Sequence, residues 1–513
     1  MSVETAIPLP RDVDADRARD WRPLLAAGLT LLLAAAIALR FWATSPMWLD
    51  EAQTVEIARR APGHLFAALR HDGSPPLYYL VLHGWMQLVG TGTLAVRALS
   101  GIFAVAALPA MWFAVRRLTR SRPSAWVAVV LLATCPFAVR YATEARMYSL
   151  LILLVLLAAI AFERVWAAPR PITVAAAAFL TACLVLTHYW ALFLVAVSGA
   201  GALVAALRGV RRARPVVLAL ALGCLAFVPW LPSFLYQTAH TGAPWGRPPD
   251  LGTALGAPRA WAGGGTGAVL LAIAYYALPV LAIAGTALPT GGILLRRPWR
   301  LAPSVAIGVA LATMLLGVAV SGALGSAYAA RYSAVVLAPF LLGLAGGLMV
   351  LPARSRFLVG GAVVALGLAV SLAYPHQLRT QAQQVADALA AAEPGDVVVF
   401  CPDQLGPAVH RLAPDAGRQE VFPTGRSPAM VDWVDYADRN AAADPLAFSD
   451  LVLGQAGSHA VWLVYANGYP TFGDDCGDLF EDFTAARGDP LIAVHNHGSR
   501  VLEHERVAVF LPQ

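Results

Sequence analysis

Along the first three quarters of the chain, apolar residues run for about twenty positions at a time, the length an α-helix needs to cross roughly 30 Å of hydrocarbon. These runs cover 22–43, 94–115, 123–139, 147–166, 172–188, 190–207, 216–236, 266–295, 301–322, 332–351 and 356–374. Polar residues collect in the gaps between them. The pattern predicts a polytopic α-helical membrane domain of about 11 spans over 22–374, preceded by a short polar segment, 1–21. One further apolar stretch, 75–89, is shorter than a full crossing and carries His83. It reads as a juxtamembrane or re-entrant helix inside a first external loop, 44–93, because backbone at that depth is tolerated only where protein covers it. After Tyr374 the pattern changes. Gln377 to Gln384 has a helical period, Asp396–Cys401 reads as a buried strand, and similar runs recur at Ala460–Tyr465, Leu491–His495 and Val507–Leu511. Helical patterns such as Asp478–Arg487 lie between them. Residues 375–513 are therefore expected to form a small α/β domain.

Composition sharpens the membrane reading and orients it. The chain of 513 residues is 58% hydrophobic and 13% charged, against about 25% charged in an ordinary soluble protein. The net charge of +6 rests on Arg alone, with no Lys. Those Arg residues sit in short connectors: Arg116 to Arg122, Arg170, Arg208 to Arg214, Arg296 to Arg300, and Arg354 with Arg356. This is the positive-inside pattern and not a nucleic-acid footprint. Placing every such connector in the cytoplasm puts the N-terminus inside and the C-terminal domain outside. No cleavable signal sequence is evident. The Ala-, Gly-, Pro- and Arg-rich, Lys-free composition fits a GC-rich bacterium, so a bacterial plasma membrane is the expected location. Cys135, Cys183 and Cys224 fall within runs as plain apolar residues. Cys401 and Cys476 lie in the exported region, where an oxidising compartment would allow them to pair.

This topology gathers the chemistry-bearing residues on one face. Trp48-Leu49-Asp50-Glu51 follows the first run, and a carboxylate there suits the activation of an attacking hydroxyl; the plain alternative is an acidic pair solvating a loop. Glu56 and Arg59 continue at helical spacing, as in an interfacial helix. His71-Asp72-Gly-Ser-Pro-Pro supplies two polar groups ahead of a stiff helix entry; His71 and Asp72 can take a sugar hydroxyl or a divalent metal. Tyr141, Glu144, Arg146 and Tyr148 sit between two runs with almost no connector, where charges are paired or functional. Arg146 can bind a phosphate bidentately, or tie two span ends by a salt bridge. Arg331 beside Tyr332 is a second phosphate candidate, or an Arg reaching for lipid headgroups. His188 caps a run on the same side.

In order and spacing, these pieces resemble the GT-C superfamily of membrane glycosyltransferases, in particular its bacterial branch similar to protein O-mannosyltransferases and aminoarabinose transferases. The matching residues are Asp50-Glu51, His71 to Tyr79 with Pro-Pro-Leu, Tyr141 to Tyr148 with Glu-Ala-Arg-x-Tyr, and Ala330-Arg331-Tyr332, across roughly 20–375. The resemblance implies transfer of a sugar, with inversion, from a polyprenyl-phosphate donor to a glycan, lipid or protein acceptor outside the cytoplasm. It implies a catalytic role for Asp50 with Glu51 beside it, and phosphate binding by Arg146, Arg331 and Tyr148. Substrate contacts fall to His71, Asp72, Tyr141, Glu144, His188 and Tyr332. Some relatives hold a divalent metal and others none, so His71, Asp72 and His188 stay open as ligands and no cofactor is required. Nothing carries over to the C-terminal region.

Two other classes remain. A transporter or flippase of lipid-linked sugars also needs many spans, but the charges here gather at outer span ends and not at the midplane, and no inverted repeat is visible. A non-catalytic scaffold built around the C-terminal domain leaves the polar clusters without a purpose.

Overall fold

The structure, a computed structural model, describes residues 22–242, 246, 248–287, 293–295, 301–325, 328–498 and 501–512. Eight of its helices are long and apolar enough to cross a membrane. A ninth candidate is a bent pair, α6 (Arg122–Thr134) and α7 (Pro136–Ala142), which turns by 58°. Pro136 opens the second half, and its missing N–H and fixed φ break the helix there. Shorter apolar helices fill the first and fifth predicted runs, α1 (Arg22–Leu39) and α9 (Pro171–Thr187). Among the long ones are α5 (Thr93–Thr119), α8 (Tyr148–Ala167), α10 (Trp190–Leu207), α14 (Val269–Ala284), α15 (Leu301–Ala323), α16 (Ala334–Val350) and α17 (Ala353–Ser371). The seventh run is α11 (Ala213–Leu225) continued by α12 (Leu231–His240).

α16 is the hub, packed against α6, α8, α14 and α15. Close approach is possible because Gly347 offers no side chain: a Cβ there would stand 2.0 Å from the Leu278 carbonyl oxygen, the small-residue packing typical of membrane helices. Outward positions such as Phe179, Leu222, Leu270 and Phe357 are exposed and apolar, the belt that lipid covers in a membrane. The eighth run ends sooner than expected. α14 stops at Ala284, and β1 (Gly285–Ala287) pairs antiparallel with β2 (Ile293–Leu295). Arg296 to Arg300 lie outside the described residues.

The first external loop forms three helices, α2 (Leu49–Ala58), α3 (Pro62–Asp72) and α4 (Leu77–Val89). α4 has 13 residues, shorter than a full crossing, and covers most of the apolar stretch 75–89. α3 ends on Gly73 at φ 83, a left-handed conformation that glycine adopts without strain.

The C-terminal domain is a five-stranded sheet in the order β4-β3-β5-β7-β6. Its strands are β3 (Val397–Cys401), β4 (Arg418–Val421), β5 (Val461–Tyr465), β6 (Leu491–Val494) and β7 (Arg506–Phe510). β3 runs parallel to β4 and β5, and β7 runs antiparallel to β5 and β6. Every residue of β3 and β5 is buried, because helices cover both faces. α18 (Ala382–Leu389) and α19 (Gly406–Leu412) pack on Val398, Phe400 and Val464. α21 (Pro445–Ala456) and α22 (Asp475–Arg487) pack on Val397, Val399 and Leu463; the short α20 (Tyr436–Ala441) precedes them. Cys401 and Cys476 form a disulfide joining β3 to α22. Four strands lie where the sequence placed them, but β4 was not foreseen. Nor is 377–384 one helix: α18 begins at Ala382, and Thr380 bridges to Glu503 instead.

Candidate active site

Asp50 is the second residue of α2 and lines a cavity of about 360 Å³. The cavity lies at the ends of α8, α9, α10 and α16 nearest the first loop. Its wall holds Asp50, Gln53, Asp72, Arg146, Tyr148, His188, Tyr189, Gln237, Arg331 and Tyr332, and Trp433 enters from the C-terminal domain. Seven of the residues singled out in sequence therefore meet: Asp50, Asp72, Arg146, Tyr148, His188, Arg331 and Tyr332.

Asp50 stands between two guanidinium groups. Its Oδ2 is 3.1 Å from Arg331 Nη2 and 3.9 Å from Arg146 Nε. Arg146 Nη1 donates to Thr54 Oγ1 at 2.7 Å and to the Asp50 carbonyl oxygen at 3.3 Å. These contacts fix the arginine's plane against α2, while its Nε makes no hydrogen bond among the described residues. The Tyr148 hydroxyl is likewise buried with no hydrogen bond among the described residues. Both remain as donors for a ligand oxygen. Asp72 is held by Gln53 Nε2 at 2.7 Å and by the Tyr79 hydroxyl at 2.8 Å. His188 Nδ1 accepts the Trp190 N–H at 3.1 Å, and its ring lies between Tyr148 and Tyr332. Gln237 Nε2 donates to the Leu69 carbonyl at 2.7 Å and so ties α12 to the loop.

Four predicted residues sit elsewhere. Glu51 faces away from the cavity and is fully buried. Arg97 Nε and Nη2 donate to its two oxygens at 2.7 and 2.6 Å, the Ala145 N–H adds 2.9 Å, and Arg379 Nη1 adds 3.4 Å. Burial opposes its ionisation, but Arg97 and Arg379 outweigh that and hold the carboxyl below the ordinary glutamate value. Glu51 therefore lies off the cavity wall that Asp50 lines, since successive helix positions point about 100° apart. Glu144 joins the same knot through Arg140 at 3.4 Å and Arg379 at 4.0 Å. Tyr141 packs on Phe137 and Tyr148 behind the cavity wall. His71 turns outward to Asp432 at 2.8 Å.

The three side chains considered for a metal do not form one site. Asp72 spends both oxygens on Gln53 and Tyr79, and His71 is paired with Asp432. Among the described residues, no group of three or more His, Cys, Asp or Glu side chains could hold an ion. A second cavity of about 520 Å³ lies across the Glu51 knot, lined by Arg40, Phe41, Thr93, Arg97, Gln381 and Gln384 among others. Among the described residues its lining holds no carboxylate.

Sequence reasoning passed over Gln53, Gln237 and Trp433 on the wall, and Arg97 and Arg379 behind it. Arg97 carried a signal, a charge four residues into an apolar run. Trp433 and Arg379 carried none, because their place depends on how the C-terminal domain docks.

Comparisons with known proteins agree with this architecture. Residues 73–232 match the family described as dolichyl-phosphate-mannose-protein mannosyltransferase. No curated protein matches the chain in sequence. Among solved structures, the archaeal oligosaccharyltransferase AglB from Archaeoglobus fulgidus, in complex with an inhibitory peptide and a dolichol-phosphate, is similar with a TM-score of 0.51 at 10% identity, over 86% of this chain and 70% of that one. The oligosaccharyltransferase from Archaeoglobus fulgidus in complex with Zn and sulfate gives 0.50 at 12% identity, over 85% and 67%. ArnT from Cupriavidus metallidurans bound to undecaprenyl phosphate gives 0.47 at 16% identity, over 96% and 98%. At such identities the likeness is one of fold, shared with the two oligosaccharyltransferase structures.

Proposed function

We propose that this chain is a membrane glycosyltransferase that moves a sugar from a polyprenyl-phosphate donor to a hydroxyl of a glycan, lipid or protein acceptor, with inversion. The observation that carries this is Asp50 set between Arg146 and Arg331 on the wall of one cavity. The family match over 73–232 supports the donor class.

In this reading Asp50 takes the acceptor's hydroxyl proton as the oxygen attacks the anomeric carbon. The bond from that carbon to the phosphate oxygen breaks, and its electron pair leaves with the polyprenyl phosphate. Arg146 and Arg331 stabilise the developing charge, with the Tyr148 hydroxyl as a further donor, so the leaving group needs no acid. Asp50 now occupies the space between the arginines. An incoming phosphate competes for them and frees the carboxylate to face the acceptor. Asp72, His188 and Tyr332 line the remaining wall for sugar hydroxyls.

The site opens away from the cytoplasm of a bacterial plasma membrane. Tyr148, Trp190 and Arg331 mark the cavity ends of α8, α10 and α16, whereas Arg116, Arg170, Arg208 and Arg354 lie at the opposite helix ends. That charge asymmetry supports an inside N-terminus, and a disulfide in the C-terminal domain suits an oxidising compartment.

The test is transfer by the purified protein in liposomes carrying labelled polyprenyl-phosphate sugars. Label appearing on an acceptor, and vanishing in Asp50→Asn with the fold intact, is the expected result. Label crossing the bilayer without transfer would favour a flippase and sink this reading.

A further inference from the structure

The C-terminal domain grips α2 on both sides of Asp50. Trp48, the residue before α2, gives its amides no side-chain acceptor, although a helix start needs one. The acceptor comes from the far end of the chain: the Leu49 N–H donates to Glu503 Oε1 at 2.5 Å. The Leu49 side chain is buried in the core of the C-terminal domain, among Val399, Leu463 and Phe510. On the other side of Asp50, Arg379 Nη1 donates to Glu51. Arg379 and Glu503 are themselves joined, since the Glu503 N–H donates to the Arg379 carbonyl at 2.9 Å and the Gln381 N–H to the Glu503 carbonyl at 3.1 Å. One short ladder thus reaches both neighbours of the proposed base.

We propose that Glu503 is a positioning residue for sugar transfer: by capping α2 at Leu49, it holds the Asp50 carboxylate in line with Arg331 and the cavity. This rests on the glycosyltransferase reading of the same site. A displacement of about 1 Å at a reacting group can cost on the order of 100-fold in rate, and Asp50 is one residue from the cap.

The chemistry of the cap sets how it is tested. Glu503 and Glu505 are buried, make no ion pair among the described residues, and each leave Oε2 without a hydrogen bond. Glu503 is faced by Glu505, Tyr469, the Thr380 hydroxyl and Asp50. Burial first, and Glu505 second, push its carboxyl well above the ordinary glutamate range, while burial lifts Glu505 to about 8. The cap accepts the Leu49 N–H through Oε1 alone, and a glutamine amide offers the same oxygen.

The experiment measures kcat and donor KM for the full-length protein and for Glu503→Gln and Glu503→Ala. Glu503→Ala should lower kcat by roughly 10- to 100-fold with donor KM unchanged, and Glu503→Gln should restore kcat. Should Glu503→Ala fail to fold, Glu503→Asp, which withdraws the carboxyl by one methylene, replaces it with the same expectation. A wild-type kcat in Glu503→Ala, or an equal loss in the Gln and Ala variants, overturns the proposal. Absence of transfer by the unmodified protein would instead remove the glycosyltransferase reading on which it rests.

Discussion

The cavity wall around Asp50 and the packed knot around Glu51 lie on two faces of one helix and use the same residue types to opposite ends. In the knot every oxygen of Glu51 is spent on Arg97, Arg379 or the Ala145 amide, at distances down to 2.6 Å. On the wall Asp50 meets Arg331 and Arg146 at 3.1 and 3.9 Å, beside about 360 Å³ of open volume. Arg146 Nε and the Tyr148 hydroxyl there make no hydrogen bond among the described residues. A satisfied buried ion pair rigidifies. A loosely held one next to a cavity keeps interactions in reserve for a ligand. The knot is the abutment against which α2 rests, and the wall is where the proposed transfer takes place.

This contrast is open to direct attack, and the largest expected effect is on the wall. Asp50→Asn should cut transfer by about 100- to 10,000-fold, the range of a lost general base, with the melting temperature in detergent unchanged. Normal turnover in that variant would place the base elsewhere. In the knot, Glu51→Ala strands two buried arginines and should cost about 3–5 kcal/mol of stability. It is checked by thermal unfolding together with activity per folded molecule. A stable Glu51→Ala protein that is catalytically dead would reverse the roles assigned to the two acids. Arg146→Ala should weaken polyprenyl-phosphate binding by about 10-fold or more, the value of one charge-assisted hydrogen bond. Binding isotherms should show a larger loss than Asp50→Asn causes, and equal affinities would remove the phosphate role.

The last test is pH dependence, where the two kinds of buried acid should differ in sign. Glu51 lies below its ordinary value in the fold, so its stabilisation is complete above the unfolded value and is lost as pH falls through the folded one. Glu505 is raised to about 8. The fold then binds the extra proton, and stability declines as pH rises from the ordinary glutamate range toward 8. Unfolding curves of Glu505→Gln should show a shallower decline, the rest belonging to Glu503, which is raised as well; an unchanged decline would assign it to another group.

Much of this was legible in sequence, and the limits have physical causes. Apolar runs and Arg connectors marked the helices because hydrocarbon leaves little freedom in either. The placement of Asp50, Arg146 and Arg331 on one face followed from topology, and their meeting at one cavity came from packing. Which carboxylate of Asp50-Glu51 faces the cavity did not, since that depends on how α2 is rotated and on partners as distant as Arg97 and Arg379. His71 and Glu144 looked equivalent to Asp72 and Arg146 for the same reason, and only packing separates them. In the C-terminal domain, β4 carries Arg418-Gln419-Glu420 on a sheet edge and so lacks the apolar run that marked β3. The segment 377–381 has a helical period, yet pairing with Glu503 holds it extended.

The most direct test is an experimental structure of the protein with a polyprenyl phosphate bound. The phosphate should sit between Arg146 and Arg331, within hydrogen-bond reach of Tyr148, with Asp50 displaced from the two arginines. A phosphate found instead in the larger cavity by Arg40 and Gln384, with Asp50 still bridging Arg146 and Arg331, would contradict the account.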